Sequence, residues 1–253
     1  MEFMKVYTAG ETRWVLSEAA GLCWLDGDPF GQWARAGEVS RLAGIRFLPP
    51  CAPTKVVAVG INYRSHAEEV GSQLPAEPIL FLKPTSSVVG HRESIIYPSH
   101  VSRRVDYEGE LALVIGSRAR CISPEEVPDY VLGYTCANDV TARDLQRRDK
   151  QWTRSKAFDT FCPLGPVIST DVDPTCLSIR TRVNGELRQR ASTSEMLFPV
   201  EVLVSFVSQV MTLEPGDVVL TGTPSGVGEL HPGDTVEVEI DGIGTLTNVV
   251  VEA

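Results

Sequence analysis

Two glutamates separated by one glycine open the most informative stretch of this 253-residue chain, Asp106-Tyr107-Glu108-Gly109-Glu110. An apolar run, Leu111-Ala112-Leu113-Val114-Ile115-Gly116, follows directly and reads as a strand covered on both faces. In a strand, residues two apart point to the same side, about 6.5–7 Å apart at Cα. Glu108 and Glu110 therefore project together. Two like charges on one face repel unless a cation or a proton lies between them. That is half of a site for a hard cation. A solvated strand entrance would use the same residues, because acids at a strand edge are usually surface.

Other stretches carry weaker signals of the same kind. In Asn138-Asp139-Val140-Thr141-Ala142-Arg143-Asp144-Leu145-Gln146 the Asn and Asp read, taken alone, as an N-cap for a polar helix predicted over 141–151. Arg143 and Gln146 are three apart and share a helix face. Arg147, Arg148 and Lys150 interleave with Asp144 and Asp149, the pattern of a solvated helix surface rather than a nucleic-acid patch. His66 stands three positions before Glu69, a spacing that allows a hydrogen-bonded pair with a more basic imidazole, or simply two exposed side chains on a turn. Lys156, in Trp152-Thr153-Arg154-Ser155-Lys156, reads by itself as a surface charge. Leu220 to Gly228 is glycine-rich but lacks the G-K-[ST] ending and a following helix, so it is no phosphate loop.

The elements that must hold these residues read as follows. Residues 1–48 form a small leading module of short strands punctuated by Gly10, Gly21 and Asp26-Gly27-Asp28-Pro29. Leu48-Pro49-Pro50-Cys51-Ala52-Pro53 is a stiff connector, since proline fixes φ. Beyond it, over 53–253, strands are expected at 55–60, 79–83 and 110–116, and a short helix at 64–70. The longest helix is expected over 195–211, from the apolar spacing of Val200, Leu203, Val204 and Val207. Two L-x-P-G-D turns each lead into a strand. Thr235 to Ile240 alternates, and Asp241-Gly242 marks a hairpin into 245–251. Strands and helices do not alternate regularly, which argues against a doubly wound sheet and for a β-rich α+β fold.

Acidic residues number 33 against 23 Lys and Arg, a formal charge of −10. This argues against a nucleic-acid-binding body and against docking on an anionic membrane. A small anionic substrate stays compatible, because local cations or a metal override the global field. No apolar run approaches the roughly 18 residues of a membrane span, and the first residues lack the layout of a signal peptide. Met4 is a plausible natural start. Six cysteines show no CxxC pair and no zinc spacing, so they read as reduced, mostly buried thiols of a cytoplasmic protein.

Taken together and in order, GINYRSHAEE, EPILFLKP, DYEGELALVIG, GYTCANDVTARDLQ, WTRSKAFDTFCPLGP, VNGELRQ and LTGTPSGVG resemble the fumarylacetoacetate hydrolase superfamily, over roughly residues 53–250. The likeness is greatest to its shorter members: acylpyruvate hydrolases, oxaloacetate decarboxylases, and the isomerase/decarboxylases of homoprotocatechuate breakdown. The resemblance implies a homodimer with a mixed β-roll catalytic domain and a smaller N-terminal module. It implies that Glu108, Glu110 and Asp139 bind a metal ion and that Arg143, Gln146, Lys156 and Thr223 line a substrate pocket. It further implies that His66 and Glu69 form an H-x-x-E pair on a mobile lid, used in the hydrolases to activate water. Asn62 and Tyr63 belong to the same motif without an assigned role.

The residue types agree with that chemistry. Three carboxylates make an all-oxygen site suited to Mg²⁺ or Mn²⁺, with coordination positions left for a 2-oxo acid. The ion would act as a Lewis acid, stabilising the enolate formed when a substrate bond beta to the carboxylate carbon breaks, and Lys156 and Arg143 would offset the same charge. The leading expectation is C–C hydrolysis of an acylpyruvate such as fumarylpyruvate, with His66 as base and Glu69 orienting it. Alternatives share the enolate. They are 2-hydroxyhepta-2,4-diene-1,7-dioate isomerisation, 5-oxopent-3-ene-1,2,5-tricarboxylate decarboxylation and oxaloacetate decarboxylation. A binding protein for 2-oxo acids without catalysis is the reading from another class.

Overall fold

The computed structural model describes residues 1–39 and 44–253; residues 40–43 of the leading segment lie outside the described residues. The chain forms the β-rich α+β fold expected, in three sheets of twelve, five and three strands. The largest sheet runs in space as Trp33–Glu38, Gly21–Gly27, Glu11–Glu18, Glu2–Thr8, Cys162–Ser169, Val131–Asn138, Gly109–Ile115, Val218–Leu220, Val56–Gly60, Ile79–Lys83, with Arg46–Phe47 and Val88–Val89 pairing off this path. Leading segment and body therefore share hydrogen bonds, through Glu2↔Ser169 and Phe3↔Ile168.

Gly109–Ile115 is buried at every residue. Its alternation explains why the run is apolar throughout. Leu111, Leu113 and Ile115 join one core with Ile179, Val238, Ile240 and Leu246 of the five-stranded sheet. Ala112 and Val114 face a second core with Val56, Ala58, Val218, Leu220 and Leu164. The five-stranded sheet runs Glu186–Ser192, Ser178–Val183, Thr235–Ile240, Gly244–Glu252, Ser94–Tyr97. Thr235–Ile240 shows the alternating burial its sequence predicts, and the hairpin at Asp241-Gly242 is present. Helix Val200–Val210 lays Val200, Val204 and Val207 on the first core and buries Leu203 as well. It is shorter than the predicted 195–211. Thr193–Glu195 is instead a separate 3₁₀ turn closed by a Ser192/Glu195 capping box, and Pro199 supplies the N-cap of the helix.

Register sets the site. Leu220 pairs with Ala58 on one side and Ala112 on the other, and Gly109 pairs with Asn138. The chain therefore leaves Val56–Gly60, Val218–Leu220 and Val131–Asn138 at the rim where Gly109–Ile115 begins. Beyond Lys83 the chain returns to pair Val88–Val89 in parallel with Cys162–Pro163. Among the described residues no helix is long and apolar enough to cross a membrane. All six cysteines are free; Cys51, Cys136 and Cys162 are buried, Cys23 is half-buried, and Cys121 and Cys176 are exposed.

Candidate active site

Glu108, Gly109 and Glu110 stand at that rim. Gly109 is required by close approach: a Cβ there would lie 2.1 Å from Thr181 Oγ1. The Gly109 N–H donates to Gln189 Oε1 (3.0 Å), and its carbonyl accepts from Thr223 Oγ1 (2.9 Å). The Asn138 side chain accepts from the Glu108 N–H, and the Asp139 N–H donates to the Glu108 carbonyl at 2.8 Å. These bonds bring Glu108, Glu110 and Asp139 together, all buried, with one carboxylate oxygen from each within 4.8 Å of the others.

Asp139 does not cap the following helix. Thr141–Ala142 is a short strand, and helix Arg143–Asp149 starts after Ala142 without a side-chain cap. The Asp139 carboxylate instead accepts from two lysines, Lys83 Nζ and Lys156 Nζ, each at 2.5 Å. Lys156 is no surface charge. It is 2 % exposed and also donates to Glu108 Oε2 at 2.7 Å. Arg143 bonds Glu108 Oε1 and, through Nε, Asp106 Oδ2 (2.9 Å); Asp106 in turn accepts from Arg104 Nε at 3.0 Å. Positive and negative groups thus alternate along one chain: Arg104, Asp106, Arg143, Glu108, Lys156, Asp139, Lys83.

Glu110 stands outside that chain. Its Oε2 accepts from the Gly222 N–H (2.6 Å), and Oε1 has no hydrogen-bond partner among the described residues. Burial, with Asp139 and Glu108 beside it, holds the Glu110 carboxyl well above the usual carboxylate range. Burial would raise Glu108 too, but Lys156 and Arg143 outweigh it and hold that carboxyl low. Burial likewise works against the Lys156 ammonium, yet Asp139 and Glu108 raise its pKa. An all-oxygen donor set, with one buried member short of positive charge, fits a hard divalent cation.

The cluster forms one wall of a cavity of about 500 Å³. All nine residues singled out from the sequence line it: His66, Glu69, Glu108, Glu110, Asp139, Arg143, Gln146, Lys156 and Thr223. His66 and Glu69 sit on helix Arg64–Val70. His66 is 7 % exposed, so the surface-turn reading does not hold for it. Its Nδ1 lies 3.1 Å from Glu69 Oε2, while Glu69 Oε1 accepts from the Gly226 N–H at 2.9 Å. Gln146 Oε1 accepts from Arg143 Nη1 (2.6 Å), which leaves the amide N–H groups to donate. The Thr223 hydroxyl is committed: it donates to the Gly109 carbonyl and accepts from Gln189 Nε2 at 2.8 Å.

Lys83, Asp106, Trp152 and Asn62 contribute to the site although the sequence alone assigns them no role. Lys83 (1 % exposed) ends a predicted strand, and a lysine inside the apolar run EPILFLKP is itself a signal of a buried partner. Asp106 lay in the quoted acidic motif and is fully buried between two arginines. Trp152 packs so closely on Gly60 that a Cβ there would lie 2.5 Å from the ring, and Phe81 meets Trp152 edge-on. Asn62 pins the rim, donating to the carbonyls of Thr221 (2.8 Å) and Phe198 (3.0 Å). Beside it Ile61, a β-branched residue, holds a left-handed φ of 55° at the cavity wall.

Residues 55–251 match the family model for the fumarylacetoacetate (FAA) hydrolase C-terminal region. The chain belongs to the fumarylacetoacetate hydrolase family and is an enzyme of that superfamily. It is 57% identical over 211 residues to an uncharacterized protein of Archaeoglobus fulgidus, covering 83% of this chain and 84% of that one. Oxaloacetate tautomerase YisK of Bacillus subtilis is 47% identical over 209 residues, 78% of this chain and 69% of its own. The crystal structure of 5-carboxymethyl-2-hydroxymuconate delta-isomerase from Mycobacterium smegmatis superposes with a TM-score of 0.93 at 44% identity, over the whole of both chains.

Proposed function

We propose that this protein catalyses proton transfer on a 2-oxo acid, interconverting keto and enol or shifted-alkene forms, with a divalent cation held by Glu108, Glu110 and Asp139. The observation that carries this reading is that His66, fixed by Glu69, shares one cavity with the three buried acids and Lys156. The names of two relatives, a tautomerase and a delta-isomerase, both denote movement of a proton without cleavage of the carbon skeleton.

Mg²⁺ or Mn²⁺, when bound, supplies Lewis-acid polarisation of the 2-oxo acid's oxygens. The chain's own residues do the rest. Lys156 and Arg143 add positive charge where negative charge builds on the substrate oxygen. Gln146, held by Arg143, offers its amide N–H as a donor. The second ring nitrogen of His66, Nε2, has no hydrogen-bond partner among the described residues and is the atom that takes and returns the proton. Thr223 keeps Gly109, and so the spacing of Glu108 and Glu110, in place.

Hydrolysis of an acylpyruvate C–C bond is the second reading. It is favoured by the double anchoring of Glu69, on His66 and on Gly226, because an imidazole so oriented also serves to deprotonate water. One assay separates the two. Wild-type protein with Mg²⁺ is given enol oxaloacetate, a 2-hydroxydienedioate, and acetyl- or fumarylpyruvate, while enol absorbance, pyruvate and CO₂ are followed. Loss of enol absorbance above the blank, without release of pyruvate or CO₂, is the expected result. Stoichiometric pyruvate from the acylpyruvates alone would replace proton transfer by hydrolysis.

A further inference from the structure

We propose that Arg147 is a specificity-determining residue that binds the distal carboxylate of a dicarboxylic 2-oxo acid; this rests on the 2-oxo-acid reading of the same site. Arg147 is exposed, as the sequence pattern of its helix face predicts, and it also lines the cavity. Three other Lys and Arg side chains line it, and each is already paired with carboxylates: Arg104 with Asp106, Arg143 with Asp106 and Glu108, Lys156 with Glu108 and Asp139. Among the described residues Arg147 alone of the four has no acidic partner. Acids are close in sequence but engaged elsewhere. Asp149 pairs with Arg148 and Arg154, and Asp144 accepts from Ser102 Oγ and the Arg103 N–H.

Its position suits the role. Arg147 follows Arg143 by four residues on the same helix, so it shares that face about 6 Å further along the axis. One end of a ligand at the acid cluster and Arg143 would leave its other end within reach of Arg147. Val59, Ile61, Phe81 and Trp152 line the same cavity and suit a short carbon chain between the two ends. A guanidinium meets a carboxylate with two parallel hydrogen bonds, a geometry that rejects an uncharged terminus.

The test is equilibrium binding by calorimetry with Mg²⁺ present, so it does not depend on turnover. Each 2-oxo dioate of four, five or six carbons is compared with the 2-oxo monoacid of equal length, for example 2-oxoglutarate against 2-oxopentanoate. Wild-type protein is expected to prefer at least one dioate by about tenfold or more, the range of a charge-assisted bond. Arg147→Ala should remove that preference while leaving monoacid affinity unchanged, and Arg147→Lys should keep part of it. A wild type without preference at any length, or an Arg147→Ala variant that keeps it, overturns the proposal. The 2-oxo-acid reading fails separately, if neither dioates nor monoacids bind.

Discussion

Asp217 and Glu110 are both buried carboxylates next to the same short strand, Val218–Leu220, and they are treated in opposite ways. Asp217 accepts from the N–H groups of Thr54, Lys55 and Glu214, from the Thr54 hydroxyl and from the Lys55 ammonium. Burial works against its charge, but those donors outweigh it and hold the carboxyl below the usual range. The bonds lock the entry into Val56–Gly60 to the entry into Val218–Leu220, and no described cavity touches them. At the far end of the same strands Glu110 receives one N–H and faces a cavity with its carboxyl raised. A buried charge that is fully paired holds strands together. One left short of donors beside open space is stable only because something else completes it.

That contrast is broken most directly at Glu110. Glu110→Gln removes the charge and keeps the shape. Turnover should fall on the order of 10³-fold, the several kcal/mol a polarising cation supplies, while the melting temperature holds or rises. Steady-state kinetics beside a thermal melt reads both, and a variant that unfolds would place Glu110 with Asp217. Asp217→Asn should do the reverse, losing about 3–5 kcal/mol of stability because its donors lose their charge partner. Activity per folded molecule should persist, which urea titration with active-site-normalised rates checks. His66→Ala should lower turnover about 10²-fold with little change in the affinity for oxalate, since only the proton carrier is lost. Equal loss of oxalate binding would make His66 part of the ligand wall.

The comparison also explains what could be read in advance. The acid pair, Asp139, Arg143, Gln146, Lys156, Thr223 and the His66–Glu69 pair were legible because ordered motifs carry them, and the cavity gathers all nine. The β-rich class followed from alternation at Thr235–Ile240 and the unbroken apolar run after Glu110. Lys83 was not legible as a partner of Asp139, because the pairing spans 56 residues and is made only when the sheet brings them together. The Asn138-Asp139 cap failed for the same reason: local propensity favours a cap, and two buried ammonium groups outbid it. Arg147 is exposed, as its helix face predicts, but periodicity describes one helix and not the cavity beside it, so its place in the cavity lining was not legible. Asp217, inside a turn motif, gave no sign that five donors converge on it.

The smallest effect separates the titration of stability from that of the site. His91 lies far from the acid cluster in the contacts it makes: its Nδ1 accepts from the Thr247 N–H at 3.1 Å, and Phe47 meets its ring edge-on. Burial and the neighbouring Arg92 charge push its pKa down to about 4. The unfolded chain takes up this proton near pH 6.5, the folded chain only near pH 4, so the unfolded state binds more protons between those values and stability is lost as pH falls through that window. Between pH 7 and pH 5 the loss should be about 2 kcal/mol. Asp217 acts lower: its depressed carboxyl contributes above the ordinary Asp value of 3.8 and is lost as pH falls below it. Urea titrations at pH 7, pH 5 and pH 3 of wild type and His91→Gln resolve the two, because the variant should lose the upper window and keep the lower one. An unchanged slope between pH 7 and pH 5 in the variant would assign the acid sensitivity to another group.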